Sequence, residues 1–200
     1  KYSQQIVNFF LNKEVDIIII ACNSASSVAL KELQADVPII GTINPSVQQV
    51  VKNCNGQSIG VIGTDTTINS QAYNKAFKDY NDYHIYSVSC PLFVPIVEEG
   101  WENTDIAHQI AVKYLSNFST IKLDTVILAC THYPMLINTL KSVFNKLGHK
   151  NLNFIDSGDA IANYLSVKLS LTVDNKPSDI LNLNDEFYVT DTSYQFNELA

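Results

Sequence analysis

Four cysteines stand at positions 22, 54, 90 and 130 of a 200-residue chain, and two of them sit in matching phrases. The first phrase is Asp16-Ile17-Ile18-Ile19-Ile20-Ala21-Cys22-Asn23-Ser24. The second, 108 residues later, is Asp124-Thr125-Val126-Ile127-Leu128-Ala129-Cys130-Thr131-His132. Each reads as an acidic residue, an apolar strand, Ala-Cys and then small polar side chains. One such cysteine reads equally well as a small buried apolar residue, because free cysteine is among the most buried types. Two in echoed phrases, each followed by polar groups, point to chemistry instead.

Inverting a carbon centre by proton transfer needs a base on one face and an acid on the other. A pair of thiols suits this, since a pKa near 8.5 makes both protonation states accessible near neutral pH. His132, two residues beyond Cys130, is placed to assist proton transfer at that thiol or to fix its charge. Glu98 and Glu99 follow Pro95-Ile96-Val97 and offer a carboxylate to the same side. Asn23, Ser24 and Thr131 follow the two strands directly. Their side chains, with the N–H groups of the helices that start there, can hold a carboxylate. Gly63-Thr64-Asp65-Thr66-Thr67 follows a further strand and offers hydroxyls and free N–H groups to an anionic group of a ligand.

The elements that must position these groups alternate along the chain. Strands are expected at Asp16–Ala21, Pro38–Thr42, Ser58–Gly63, Ile85–Ser89, Thr125–Ala129 and Asn153–Asp156. Most lack polar alternation, as suits strands buried on both faces. Helices are expected at Lys1–Lys13, Ser24–Gln34, Pro45–Lys52, Ile68–Asp79, Thr104–Ser116, Pro134–Lys146 and Ala160–Ser170. Ser46, Ser70, Thr104 and Ser157 are candidate helix caps. The repetition implies an α/β fold with mainly parallel sheets. In such sheets functional residues gather just past the carboxyl ends of strands, which is where both thiols fall.

Composition excludes several classes. Hydrophobic residues make up 46% and charged residues 16%, an ordinary globular balance. The net charge of −7 and the scattered lysines argue against nucleic-acid binding. No apolar run approaches the roughly 20 residues of a membrane helix, and no signal peptide opens the chain. The cysteine spacing fits neither a disulfide scaffold nor a zinc site, so free thiols and a reducing, cytoplasmic compartment are expected.

Ala21-Cys22-Asn23-Ser24-Ala25-Ser26 resembles the first cysteine motif of bacterial glutamate racemases, within the aspartate/glutamate racemase superfamily. Leu128-Ala129-Cys130-Thr131-His132-Tyr133-Pro134 resembles their second. Gly60-Val61-Ile62-Gly63-Thr64, Cys90-Pro91-Leu92-Phe93-Val94-Pro95-Ile96-Val97-Glu98 and Ile155-Asp156-Ser157-Gly158 agree in order and spacing. The resemblance implies interconversion of L- and D-glutamate without pyridoxal phosphate, other cofactor or metal, with D-glutamate feeding peptidoglycan. It implies two similar α/β domains, residues 1–43 with 156–200 and residues 44–155, and an active site in the cleft between them. It also implies Cys22 and Cys130 as the two acid/base groups, Glu98 near the second thiol, and Asn23, Ser24, Thr64, Thr67, Thr131 and His132 around the substrate. A homodimer is usual for the family.

There are departures. Serines stand at 24 and 26 where the family usually has Thr, and Thr66 stands where Gly is common. The family's opening Asp-Ser strand and its Pro-Tyr-Gly loop do not precede Lys1. N-terminal residues are therefore expected to be missing, with this 200-residue piece alone showing little turnover and exposing apolar sheet edges. The competing readings are a racemase for aspartate or another amino acid, a non-catalytic binding protein retaining the fold, and a redox dithiol.

Overall fold

The computed structural model describes residues 1–54, 56–170 and 185–190. Strands β1 (Ile18–Ile20) and β2 (Ile39–Gly41) pair in parallel as a small sheet, Ile20 opposite Gly41. Strands β3 (Ser58–Gly63), β4 (His84–Ser89), β5 (Thr125–Ala129) and β6 (Asn153–Asp156) form a second parallel sheet in the order β4-β3-β5-β6. The α/β class with parallel sheets is as the sequence implies.

The second sheet is covered on both faces, and its apolar runs alternate between them. Ile62, Val126 and Leu128 face a core built with Phe93, Tyr133, Leu140 and Phe144. Ile59, Val61, Ile127 and Ala129 face another built with Val47, Val50, Tyr73 and Phe77. Helices α6 (Phe93–Glu98), α7 (Asp105–Leu115) and α8 (Ile137–Lys146) supply the first layer. Helices α3 (Ile43–Asn53), α5 (Ala72–Ala76) and α9 (Ser157–Lys168) supply the second. Each fully buried aliphatic or Phe side chain contributes roughly 1.5–3 kcal/mol, so these two layers hold β3 and β5 rigidly.

Helix α1 (Tyr2–Leu11) precedes β1, α2 (Asn23–Val28) follows it, and α4 (Asp65–Asn69) follows β3. Gly41 ends β2 where α2 comes close: a Cβ there would stand 2.8 Å from Ser26 Oγ and 2.9 Å from Leu30 Cδ2. Tyr2, Ile6 and Phe9 of α1 and Ile19 of β1 are exposed. Helix α9 lies against α3, and Ala160 joins the second of the two cores.

Several boundaries differ from expectation. The single helix expected at Ile68–Asp79 is broken into α4 and α5 at Gln71, whose φ is +57°. The helix expected to run to Gln34 ends at Val28, and Leu30–Glu32 is a 3-10 turn. Pro134 lies in a 3-10 turn, Tyr133–Leu136, ahead of α8. Of the candidate caps, Thr104 Oγ1 accepts from the Ala107 N–H at 3.3 Å, whereas α9 is capped by Asp156, one residue before Ser157. Ser46 lies inside α3 and donates to the Thr42 carbonyl instead. Ser70 Oγ accepts from the Ala72 N–H, at the start of α5. No helix among the described residues is long and apolar enough to cross a membrane.

Candidate active site

Strand β3 has β4 on one side and β5 on the other, so the chain reverses its direction of winding between β3 and β5. Ligands of open α/β sheets lie in the crevice outside the carboxyl ends at such a reversal. Gly63 and Ala129 are register partners at those ends. The residues that follow them, Thr64 and Cys130, therefore emerge side by side. Cys22 emerges from β1 in the same way, at the start of α2.

Cys22 is exposed, and its sulfur accepts from the Ala25 N–H at 3.4 Å. Cys130 is 7% exposed. Burial pushes the Cys130 thiol above its ordinary value, against the backbone N–H groups of His132 and Tyr133, which favour the thiolate. The negative charges of Cys22 and Glu98 push it further in the same direction as burial.

His132 stands between the second thiol and a carboxylate. Its Nδ1 is 3.8 Å from Cys130 Sγ and its Nε2 is 3.3 Å from Glu98 Oε1. One imidazole nitrogen thus addresses the sulfur while the other is oriented by Glu98, the arrangement by which a carboxylate fixes a histidine tautomer. The sulfur contact is loose, as such contacts often are before a ligand tightens them.

A second group lies across the crevice. Ser24 Oγ is 2.6 Å from Thr64 Oγ1 and 3.3 Å from Thr67 Oγ1, and the two threonine hydroxyls are 3.2 Å apart. Ser24 comes from the small sheet's side and the threonines from the large sheet's side, so this trio bridges the two. Hydroxyls can turn to donate, so three together suit a carboxylate. Thr131 is exposed beside Cys130. Ser89 donates to Asp65 nearby, at the end of β4.

Asn23 is placed otherwise than expected. It is 2% exposed and its carboxamide is held by protein groups. Thr42 Oγ1 and Tyr73 Oη donate to its oxygen at 2.9 and 2.7 Å, and its N–H donates to Ser157 Oγ at 3.0 Å. It anchors the floor of the crevice rather than lining it. Sequence reasoning misses Tyr73, which lies 50 residues from Asn23. Its apolar spacing with Phe77 signals only a buried helix face.

Fold and site together define a parallel α/β protein with a thiol at the end of a strand in each of its two sheets. A family model described as Asp/Glu/hydantoin racemase matches residues 3–165, and the chain belongs to that family of racemases. A glutamate racemase from Hydrogenobaculum sp. is 39% identical over the whole of this chain and 73% of its own length. The crystal structure of a glutamate racemase from Francisella tularensis in complex with D-glutamate matches with a TM-score of 0.81 at 32% identity, over 99% of this chain and 73% of that one. A glutamate racemase from Campylobacter jejuni matches with a TM-score of 0.77 at 33% identity, over 88% and 69% respectively.

Proposed function

We propose that this chain interconverts L- and D-glutamate by a two-base transfer between Cys22 and Cys130. One sulfur, as thiolate, takes the α-hydrogen as a proton, and the electron pair of the broken C–H bond moves toward the substrate carboxylate. The other sulfur, as thiol, gives its proton to the opposite face, a new C–H bond forms, and that sulfur is left as thiolate. The roles exchange with the handedness of the substrate. The observation that carries this reading is the placement of the two thiols, each just past the carboxyl end of a parallel strand, one in each sheet, with His132 and Glu98 beside the second.

His132, oriented by Glu98, assists proton transfer at Cys130. Ser24 and Thr64 hold a substrate carboxylate, Thr67, 1% exposed, orients their hydroxyls from behind, and Thr131 closes the side next to Cys130. The relatives named glutamate racemase support the choice of substrate. The product would enter peptidoglycan synthesis in the cytoplasm, with the enzyme a homodimer. The test is the circular dichroism of L- and D-glutamate, and of L- and D-aspartate, incubated with the full chain. Loss of signal from both glutamate enantiomers and neither aspartate supports the reading. Turnover of aspartate and not of glutamate overturns it.

A further inference from the structure

Eight polar side chains are buried among the described residues, and five of them, Asn23, Ser26, Thr42, Ser46 and Ser157, lie in one place. They meet where the small sheet abuts the large one, directly under the thiols. Asn23 is the residue after Cys22. Its N–H donates to Ser157 Oγ at 3.0 Å, and Ser157 donates onward to the Leu128 carbonyl at 2.9 Å. Leu128 lies on β5, two residues before Cys130. Two hydrogen bonds therefore join the neighbour of one sulfur to the strand that carries the other.

The junction is fixed from the remaining sides. Thr42, at the end of β2, donates to Asn23 at 2.9 Å, and its own N–H donates to Ser26 Oγ, which donates to the Ile20 carbonyl. Tyr73 reaches in from α5, beneath the large sheet, and donates to the same Asn23 oxygen at 2.7 Å. Tyr73 is 2% exposed, and its ring belongs to the core under β3 and β5. The amide is thus held by groups from both sheets. A buried polar group that loses a partner is left without water or protein to replace it, so this arrangement has no cheap alternative.

We propose that Tyr73 is a positioning residue for the thiol pair: through Asn23 and Ser157, its hydroxyl fixes the separation of Cys22 from Cys130. The proposal rests on the two-cysteine reading above for its consequence in catalysis, but the geometry it asserts can be measured without any turnover. Proton transfer demands both sulfurs at near-contact distance from one carbon, and a misplacement of about 1 Å can cost on the order of 100-fold. A hydroxyl that acts only on stability would leave that separation alone.

Two readouts on the full chain test it. The first joins Cys22 to Cys130 with a graded series of bis-methanethiosulfonate linkers, scored by mass spectrometry of the bridged peptides. The native protein is expected to favour one linker length, whereas Tyr73→Phe spreads the bridging over several. The second readout is kinetic. Tyr73→Phe is expected to lower kcat by roughly 10- to 100-fold in both directions, with KM within about twofold, because geometry at the reacting carbon is lost while the carboxylate contacts remain. Ser157→Ala breaks the same path at its other end, is expected to behave alike, and keeps the test open if Tyr73→Phe does not fold. Tyr83→Phe, which removes a hydroxyl outside the junction, should change neither readout. Unchanged linker preference and unchanged kcat in a folded Tyr73→Phe or Ser157→Ala protein overturn the proposal. A native protein that favours one linker but turns over aspartate and not glutamate overturns the function and not the positioning.

Discussion

Cys130 and Cys22 are not equivalent, although their phrases echo each other. Cys130 is buried, its thiolate disfavoured by lost hydration, and His132 stands 3.8 Å away with Glu98 behind it. Cys22 is exposed at the start of a short helix. The second half-site therefore depends more on its histidine. Replacing His132 by Asn should lower kcat by about 10²- to 10⁴-fold, the usual worth of a positioned acid or base, and Glu98→Gln by less, because it acts through His132. Steady-state kinetics with each enantiomer check this. Loss confined to KM would show that His132 binds substrate and does not move protons. At this scale the sequence is most informative about the polar residues just past the strand ends. Ser24, Thr64 and Thr67 do meet, although 40 residues separate the first two. Asn23 is harder to place because its type suits a ligand and a buried bridge equally, and only its partners at positions 42, 73 and 157 decide between them.

Among the elements, the strands are the most legible. Ser58–Gly63, Thr125–Ala129 and Asn153–Asp156 fall where their β-branched runs place them, because strands buried on both faces need apolar residues throughout. Helix breaks are harder to read. Nothing at Ser70–Gln71 marks the interruption between α4 and α5: neither Gly nor Pro is present, and Gln71, an exposed residue, takes a positive φ at the break. Helix α6 is legible only as a motif, since Pro95 sits within it and six residues are too few to show periodicity. Gly41 is the element-level constraint with a sharp consequence. A methyl group there meets the Ser26 and Leu30 side chains at under 3 Å, so Gly41→Ala must displace one or both of them. The expected cost is about 1–3 kcal/mol, the usual result of overpacking. Chemical denaturation measures it, and no change in midpoint would mean that these side chains shift freely.

Among the described residues, four buried thiols and phenols shift in one direction. Burial raises the thiol of Cys90, which is wholly enclosed, and that of Cys130, from an ordinary value of 9.0, and it raises the phenols of Tyr73 and Tyr133 from 10.0. Above these ordinary values the unfolded chain loses protons that the folded chain keeps, so stability is complete below about pH 9 and falls as the pH rises further. Each such group contributes a slope of up to about 1.4 kcal/mol per pH unit. Thermal melts between pH 8 and pH 10.5, in roughly half-unit steps, should show the decline, and Cys90→Ala should soften it. A flat profile would contradict the enclosed thiol.

The two cysteines stand 108 residues apart in the sequence, and a two-base reaction requires their sulfurs to act from opposite faces of one carbon. Racemisation of glutamate in deuterium oxide, stopped early and read by mass spectrometry of each separated enantiomer, addresses this directly. Two opposed bases predict that the product carries one solvent deuteron at its α-carbon while the unreacted enantiomer keeps its hydrogen. Product that retains the substrate's own hydrogen, or deuterium in both enantiomers from the first turnovers, would mean that a single group serves both faces.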